Sequence, residues 1–387
     1  MQDVSKRSES LKGAGDKLPL LPSALRDCFP LGPHKTYANR LHLKSAIAWI
    51  CMAQDVTSDG GVSAGYSLKN GWLSSYPETT GYIIPTVLDY YQLSHEPHLR
   101  ERAVKMADFL LDVQNPDGSV FGGEVGFSQE KMVFDTGQII FGLTRAFQET
   151  GNEAYRSAAK RAGDWLISVQ DRDGVWRKHE YKDTLHVYNT RVAWALLSLH
   201  AITLADEYRD AAYRNLRWAL TCQLPSGWFA NASFVPHEDP VTHTIAYTIE
   251  GILEAAIYLH DHEFLTAAKT SADAMLRCLA DRDHFAGAYD SDWNRTARYC
   301  CLTGNAQMSV ILFRLHSIVR VSSYLEAALR LNCYLRQRQF IGVNRNLNGA
   351  IPGSYPIYGG YMPFSFPNWA TKFLADALML EDKVLSS

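Results

Sequence analysis

The sequence lacks the features that would mark a membrane protein, a secreted protein or a zinc protein. No stretch approaches the roughly 18 apolar residues of a membrane span. The first residues, MQDVSKRSESLKGAGDKLPLLPS, are polar and contain no apolar signal core, so we expect a cytoplasmic protein. The seven cysteines show no CxxC or Cys/His spacing, which predicts free thiols and neither a metal nor a cofactor.

The sequence also lacks a strong charge of either sign. A formal net charge of −3 over 387 residues gives no reason to expect nucleic acid or an anionic membrane surface as a partner. Aromatic residues, in contrast, make up 12% of the chain, with 9 Trp and 20 Tyr. Part of this set belongs to the core, but sugar-binding clefts also use exposed rings as stacking platforms. The sequence leaves the oligomeric state open.

A repeat organises the chain. Helical segments end in Gln and turn at Gly in QDVTSDGG, QNPDGSVFGG, QDRDGVW and QLPSGWF, which begin at Gln54, Gln114, Gln170 and Gln223. The intervals are 60, 56 and 53 residues, as expected for stacked supersecondary units. A fifth copy is degraded in ADRDHFAGAYD, and NRNLNGAIPGSYP holds the sixth place.

Each turn leads through a long loop into an apolar helix. These six helices begin near residues 77, 135, 189, 243, 303 and 368, and their apolar residues cover most of the circumference, which is typical of buried helices. They alternate with amphipathic helices such as EAYRSAAKRAGDWLISVQ. The pattern predicts an all-α (α/α)6 toroid over residues 36–387, an inner ring of six helices inside an outer ring of six. Residues 1–35 are predicted to be an arm, partly disordered or packed on the surface.

The loop lengths predict the functional end of this toroid. Links from inner to outer helices are short, whereas links from outer to inner helices run to roughly 15–25 residues, and long ordered loops usually carry function. The first turns of the inner helices hold Glu78, Asp135, Gln138, Asn189, Arg191, His243, Tyr247, Asn305, Gln307, Asn368, Trp369 and Lys372. Nearby positions add Trp72, Tyr76, Tyr82, Trp176, His186, Tyr188, Trp228, Trp293, Arg298 and Tyr299. We expect all of them at one central cleft.

Each of these residues also has a purely structural interpretation. Asp135 and Gln138 fit a capping box, and Glu78 after Pro77 fits the positive end of a helix dipole. Capping, core packing and wedging between hairpins would equally account for Asn189, His243, Trp176 and Trp228. Six polar helix starts, several of them aromatic, nevertheless exceed what capping requires.

The repeat and two helix starts resemble the six-hairpin carbohydrate-active enzymes, and most closely the unsaturated glucuronyl and rhamnogalacturonyl hydrolases. FDTGQIIFGLTRAFQETGN resembles the helix of that family that begins with a catalytic Asp, which implies an acid/base role for Asp135. PETTGY resembles the preceding helix start, where a second acidic residue stands before a Gly and an aromatic residue. Glu78 replaces the family's Asp there, so its role is less defined than its position.

This resemblance implies hydrolysis of a glycosidic bond in an acidic, uronate-containing oligo- or polysaccharide. One carboxyl group protonates the leaving oxygen, and a carboxylate activates water or stabilises the cation. The acid must stay protonated near neutrality, so burial or a like charge has to raise its pKa by roughly 2 units. Arg191, Lys372 and His243 are expected to hold the substrate carboxylate.

Three alternatives stay open. HVYNTR and HTIAY supply the Tyr, His, Asn and Arg that a polysaccharide lyase or uronate epimerase would use for proton abstraction. QDRDGVW resembles the repeat of terpene cyclases and prenyltransferases, but the acid motif DxDD is absent and YDSDW is the nearest string. A non-catalytic glycan-binding protein of polysaccharide biosynthesis would use the same cleft.

Overall fold

The structure, a computed structural model, describes residues 36–280 and 282–386. The predicted N-terminal arm, residues 1–35, lies outside the described residues. Within them, the chain forms twelve α-helices joined by alternating short and long links. No helix in this part of the chain has the length and apolar character needed to cross a membrane.

The helices alternate between an outer and an inner set. The outer helices are α1 (Asn39–Asp55), α3 (Pro97–Val113), α5 (Glu153–Val169), α7 (Asp206–Thr221), α9 (His262–Leu279) and α11 (Ser322–Arg336). The inner helices are α2 (Pro77–Ser94), α4 (Val133–Thr150), α6 (Thr190–Thr203), α8 (Thr242–Leu259), α10 (Leu302–Val319) and α12 (Asn368–Leu385). Inner helices such as α8 and α10 are buried on nearly every side, whereas outer helices bury one face, rich in alanine in α5. The predicted starts of the six inner helices are therefore confirmed.

The inner helices form a closed ring. Each one packs against the next along the chain, and α12 packs against α2 to close the circle. Each inner helix also packs against the outer helix that follows it, except α12, which packs against α1. This arrangement confirms the (α/α)6 toroid. The first helix of the described chain, α1, also packs against the last, α12, and no local sequence pattern predicts this contact.

Short strands join the long loops. β1 (Gly65–Ser67) pairs antiparallel with β2 (Gly71–Trp72) and with β5 (Ser365–Pro367), with Tyr66 opposite Phe366. β3 (Cys300–Cys301) pairs antiparallel with β4 (Ser354–Tyr355). The strands are too short to show an alternating pattern in the sequence. They tie the first long loop to the last, so the ring is closed at the loops as well as at the helices.

The repeated glutamines join neighbouring hairpins. Each side-chain amide donates from Nε2 to a main-chain carbonyl of the next outer helix at 2.8–3.1 Å; the pairs are Gln54–Arg102, Gln114–Ala158, Gln170–Ala211, Gln223–Ala267 and Gln339–His42. All but Gln223 also donate to the carbonyl of the glycine or loop residue in their own turn, such as Gly174 at 3.1 Å. The repeat is thus a structural connection between hairpins, and Gln339 extends it across the closure of the ring.

Two glycines bring the first two inner helices into close contact. A Cβ atom added to Gly142 in α4 would lie 2.5 Å from the carbonyl oxygen of Gly81 in α2. A Cβ atom added to Gly81 would lie 2.6 Å from the carbonyl oxygen of Gln138. Any larger residue at either position would force the backbones apart. This contact sets the separation of the helix starts that carry Glu78 and Asp135.

Candidate active site

Glu78 lies in the second position of α2, which begins at Pro77 as the sequence predicts. The preceding residue, Tyr76, is extended, and its hydroxyl donates a short hydrogen bond to the Glu78 carboxylate. The hydroxyl of Tyr82, one turn along the helix, also interacts with this carboxylate. Glu78 is only 8% exposed. A carboxylate that merely complements a helix dipole would lie in solvent, so its burial among tyrosines indicates another role.

Asp135 lies in the third position of α4 and does not cap the helix. Met132 occupies the cap position without a side-chain hydrogen bond, and Asp135 accepts the backbone N–H of Gly123 in the preceding loop at 3.0 Å. Oε1 of Gln138 accepts from Nε of Arg191 at 3.1 Å, and its Nε2 donates to the carbonyl of Phe134 at 3.4 Å, so the side chain does not accept the N–H of the cap residue. The capping-box interpretation of Asp135 and Gln138 is therefore wrong, because both side chains have partners elsewhere.

The two carboxyl groups share Tyr76 as a neighbour, and burial raises the pKa of both. Burial raises the pKa of Glu78 to about 8, and the charge of Asp135 adds to that rise. Burial also raises the pKa of Asp135, to about 6, against the stabilising hydrogen bond from Gly123. Because Asp135 accepts a main-chain N–H, it is the member of the pair that ionises first. Near neutrality one buried acid and one buried carboxylate coexist.

A third carboxyl group, which the sequence analysis did not identify, belongs to this cluster. Glu180 lies in the loop before α6, is 5% exposed, and accepts from Nδ2 of Asn189 at 2.9 Å. Burial raises its pKa well above the usual range, and the charge of Asp135 adds to the rise. Asn189 therefore holds Glu180 and makes no side-chain cap on α6. Glu180 carries no sequence signal of its own, because it lies in mid-loop and not at a helix start.

Aromatic rings surround the carboxyl cluster. Tyr188 stacks on His186 with ring centres 4.5 Å apart, and Phe134 contacts Tyr188 at 5.3 Å. Charge interactions connect Tyr188 with all three carboxyl groups, so it lies beside the cluster. Trp369 lies edge-on to Tyr76 at 6.2 Å. The predicted group of aromatic residues near the helix starts is thus present at the first, second, third and sixth inner helices.

His243 is a neutral histidine on the opposite side of the ring. Its Nδ1 is 2.5 Å from Oε1 of Gln307, and its ring lies 4.1 Å from the Tyr247 ring. Burial lowers its pKa to about 3, and the nearby charge of Arg191 contributes to the decrease. Nε2 of Gln307, like Oδ1 of Asn189, is buried with no hydrogen-bond partner. Such unpaired polar atoms are costly unless a ligand or water satisfies them.

The two predicted substrate-binding cations have protein partners. Arg191 forms a short, buried ion pair with Glu250, and its guanidinium lies 4.7 Å from the centre of the Tyr247 ring. Nζ of Lys372 lies 2.6 Å from a carboxylate oxygen of Asp376 and 4.1 Å from the centre of the Phe373 ring. Both cations are therefore neutralised within the ring of inner helices. A substrate carboxylate at either one would have to compete with these acids.

Several predicted site residues stabilise the loops and lie away from the carboxyl cluster. Trp176 is 1% exposed and donates from Nε1 to the carbonyl of Leu166 at 3.0 Å. Trp228 and Trp293 pack against each other with ring centres 5.1 Å apart. Trp176 thus binds its loop to the preceding outer helix α5, and the pair of Trp228 and Trp293 joins two successive long loops.

Three further predicted residues have other surroundings. Asn305 accepts the N–H of Phe285 at 2.8 Å and donates to the carbonyl of Cys301 at 2.8 Å. Trp72 packs on the buried ring of Trp49 at 5.3 Å. Arg298 lines a separate cavity between the last two long loops. The carboxyl cluster is therefore smaller than the predicted set, and it contains Glu78, Asp135, Glu180, Tyr76, Tyr82, Tyr188, Asn189, His243 and Tyr247.

Comparisons with known proteins agree with this architecture. The family model of the squalene-hopene cyclase C-terminal domain matches residues 74–256, a range that includes three of the repeated glutamines. No curated protein sequence matches the chain. Unsaturated glucuronyl hydrolase from Bacillus sp. GL1 superposes with a TM-score of 0.70 at 15% identity, over 88% of this chain and 96% of that one. The chain has the six-hairpin toroid fold.

Other enzymes share this fold. Cellobiose 2-epimerase from Spirochaeta thermophila DSM 6192 superposes with a TM-score of 0.71 at 15% identity, over 95% of this chain and 100% of that one. A polysaccharide lyase, BACCELL_00875, superposes with a TM-score of 0.67 at 12% identity, over 91% of this chain and 99% of that one. The resemblance that the repeat indicated is confirmed at the level of architecture. Because one toroid hosts several chemistries, the reaction has to be argued from the site.

Proposed function

We propose that this protein is a carbohydrate-active enzyme that hydrolyses a glycosidic bond by carboxyl acid/base catalysis. The observation that carries the proposal is the pair formed by Glu78 and Asp135, two buried carboxyl groups with raised pKa values on either side of Tyr76. The pair lies at the starts of adjacent inner helices, at the end of the ring formed by the long loops. Two carboxyl groups held in different protonation states are the minimum that glycoside hydrolysis requires.

The surroundings of the two groups suggest their roles. Glu78, with the more strongly raised pKa, is the general acid that protonates the leaving oxygen. Asp135, whose ionised form accepts the Gly123 N–H, activates the attacking water or stabilises the developing cation. Cleavage consumes one water, whose hydroxyl joins one fragment while its proton replaces the one that Glu78 gave to the other. Glu180 and Asn189 hold sugar hydroxyls beside the pair.

Elimination is less well supported than hydrolysis. A lyase needs a base with a lowered pKa and a free cation to neutralise the substrate carboxylate. Here burial and the neighbouring carboxyl groups raise the pKa values of Tyr76 and Tyr188. The two cations predicted to hold a substrate carboxylate, Arg191 and Lys372, are already paired with Glu250 and Asp376. These surroundings disfavour a phenolate base.

The proposed substrate is an acidic, uronate-containing oligosaccharide. The support comes from the N-termini of the six inner helices, whose positive dipole ends lie at the long loops. Glucuronyl hydrolases are among the structural neighbours, one of them described as specific for heparin. The paired state of Arg191 and Lys372 argues that helix ends and loop N–H groups, more than side-chain cations, would hold the acid group.

Epimerisation is the second candidate. Cellobiose 2-epimerases are among the structural neighbours, and the neutral imidazole of His243 beside Tyr247 offers a base of suitable charge. An epimerase leaves the mass of its substrate unchanged, which separates it from a hydrolase. The terpene-cyclase alternative has less support, because YDSDW forms a surface turn in which Asp290 accepts the N–H groups of Asp292 and Asn294 at 3.0 and 2.8 Å.

The proposal is tested by incubating the protein with a panel of saturated and unsaturated uronate oligosaccharides and measuring products by mass and ultraviolet absorbance. Hydrolysis adds one water per cleavage, and it removes the absorbance of a terminal unsaturated uronate. We expect Asp135→Asn and Glu78→Gln to lower the rate at least about a thousandfold. The control is Glu101→Gln, an exposed glutamate on α3.

Three outcomes would contradict the proposal. New absorbance without a gain of water would indicate elimination, and a changed sugar of unchanged mass would indicate epimerisation. Ligand binding without turnover in the wild-type protein, and unchanged in both variants, would indicate a non-catalytic glycan-binding protein.

A further inference from the structure

A second cavity lies between the long loop that leads into α10 and the one that leads into α12. Its volume is about 520 Å³, which is in the range of small-molecule sites. The side chains that line it are mostly cationic or aromatic: Arg282, His284, Arg295, Arg298, Tyr299, Tyr334, Arg338 and Tyr355. We call it the arginine cavity. None of the proposed catalytic residues lines it.

The four arginines of this cavity have no acidic partner among the residues that the structure describes. The charge of Asp283 acts on the His284 ring of the cavity, but less strongly than the charges of Arg295, Arg338 and Arg282. The Nε atoms of Arg295 and Arg338 are buried and have no hydrogen-bond acceptor. Elsewhere in the described chain, arginines such as Arg314 are held by carboxylates, in that case by Glu254 at 2.6 Å. Arg282 and Arg298 are exposed at the rim, whereas the half-buried Arg295 and Arg338 hold buried donors that an anion would satisfy.

Aromatic rings hold one of these arginines in a fixed orientation. The Arg338 guanidinium lies between Tyr334 and Tyr355, 4.6 and 4.2 Å from the two ring centres. Tyr334 in turn stacks on His284, with ring centres 4.5 Å apart and planes 14° from parallel. Because the stack orients the guanidinium before any ligand arrives, little further ordering is needed on binding.

The electrostatic field of the cavity is positive. The pKa of His284 is lowered to about 4, first because the ring is buried and then because Arg295, Arg338 and Arg282 surround it. The imidazole is therefore neutral near pH 7 and accepts or donates hydrogen bonds without adding charge. The four guanidinium groups alone supply the positive charge.

The arginine cavity is separate from the carboxyl cluster but close to it. Tyr299 lines the cavity, and its ring fills the space beside Gly287, Gly359 and Gly360. The residue that follows these glycines, Tyr361, contacts His243 with ring centres 5.5 Å apart. One layer of side chains thus divides a cationic site from an acidic one, both at the end of the ring formed by the long loops.

We propose that the arginine cavity binds a dianionic phosphoryl group, either free or as the monoester of a sugar. Four unpaired guanidinium groups exceed what one carboxylate can engage, whereas a tetrahedral dianion offers three oxygens for paired N–H donors. The volume accommodates a monosaccharide phosphate. This site is independent of the proposed hydrolysis.

Isothermal titration calorimetry of the full chain with glucose 6-phosphate tests the proposal. We expect saturable binding that weakens as salt is added, and binding of inorganic phosphate shows whether the sugar contributes. Glucose, glucuronate and glucose 6-sulfate are the matched probes, with no charge or one negative charge. Equal affinity for glucuronate or for the sulfate would contradict the need for a dianion, and no binding of either phosphate would overturn the proposal.

Variants locate the binding. Arg295→Gln combined with Arg338→Gln is expected to weaken phosphate binding at least about tenfold. Arg298→Gln changes only an exposed side chain at the rim, so it tests the same site without a risk to folding. The control Arg320→Gln removes an exposed arginine at the C-terminal end of α10, which is the end of that helix opposite to the long loop that leads into it. An equal loss in the control would show nonspecific attraction. Asp135→Asn must bind phosphate normally, whatever it does to hydrolysis.

Discussion

At the scale of single residues, the two carboxyl groups of the proposed active site were predictable from the starts of two helices. Glu78 and Asp135 were found because the repeat places them at the starts of adjacent inner helices, where acids are unusual among so many apolar residues. Their burial, and the tyrosine between them, depend on loops that meet only in the folded ring. Glu180 could not be found in this way, since nothing local distinguishes it from a solvated loop glutamate.

The pair predicts a bell-shaped dependence of activity on pH. Asp135 must be ionised, so kcat/KM should rise with pH around its raised pKa of about 6. Glu78 must be protonated, so the rate should fall around its raised pKa of about 8. The residual activity of the Glu78→Gln variant should no longer fall around pH 8, because the group that ionises there is gone. A rate that keeps rising above pH 9 in the wild-type protein would contradict Glu78 as the acid.

The same burial predicts that the acid costs stability. The folded pKa of Glu78, about 8, lies above its unfolded value of 4.5, so the native state holds a proton that the unfolded chain releases. Stability is therefore lost as pH rises from about 4.5 to 8. Glu78→Gln should raise the free energy of unfolding at pH 7 by up to about 3 kcal/mol, and hardly at all at pH 4. Urea unfolding at both pH values measures this difference, with Glu101→Gln as the control. A Glu78→Gln variant less stable than the wild-type protein at pH 7 would contradict the prediction.

At the scale of elements, the repeated glutamine is both a sequence signal and a structural connection. Its spacing predicted the hairpins, and every one of these side chains bonds to the next outer helix, while all but Gln223 also bond to their own turn. The glycines of the inner ring were not predicted. Nothing in the local sequence indicates a role for Gly81 and Gly142 within their apolar helices. Only the close contact between the two helices shows why both residues are small.

This connection can be measured at Gln170. Its Nε2 donates to the carbonyls of Gly174 and Ala211, and its Oε1 accepts from Arg214 at 2.9 Å. Gln170→Ala removes all three bonds and should lower the free energy of unfolding by about 1–3 kcal/mol. Gln148→Ala, which changes an exposed glutamine of α4, is the control. If the two variants were equally stable in urea, the hydrogen bonds of Gln170 would not stabilise the connection between hairpins.

At the scale of the whole molecule, the sequence predicted the ring but not how it closes. Six alternating pairs of buried and half-buried helices can pack compactly in only a few arrangements, and the toroid is one of them. The pairing of α1 with α12, the β1–β5 ladder and the bond from Gln339 to the His42 carbonyl join segments about 300 residues apart in sequence. Local periodicity carries no information about such contacts.

The division of charge at the loop end is also a property of the whole fold. Glu78, Asp135 and Glu180 come from the first three long loops and helix starts, whereas the four cavity arginines come from the last two loops. A net charge near zero conceals this separation. Arg298 was predicted at the same cleft as Glu78, because the sequence places both at one end of the ring without showing which loops meet.

The most direct test of the central claim is the mass of the products formed in water enriched in oxygen-18. With a uronate oligosaccharide that the wild-type protein cleaves, one labelled oxygen should enter per bond broken, and Asp135→Asn should abolish that incorporation. Cleavage without any labelled oxygen, or full incorporation by the Asp135→Asn variant, would contradict hydrolysis by the carboxyl pair.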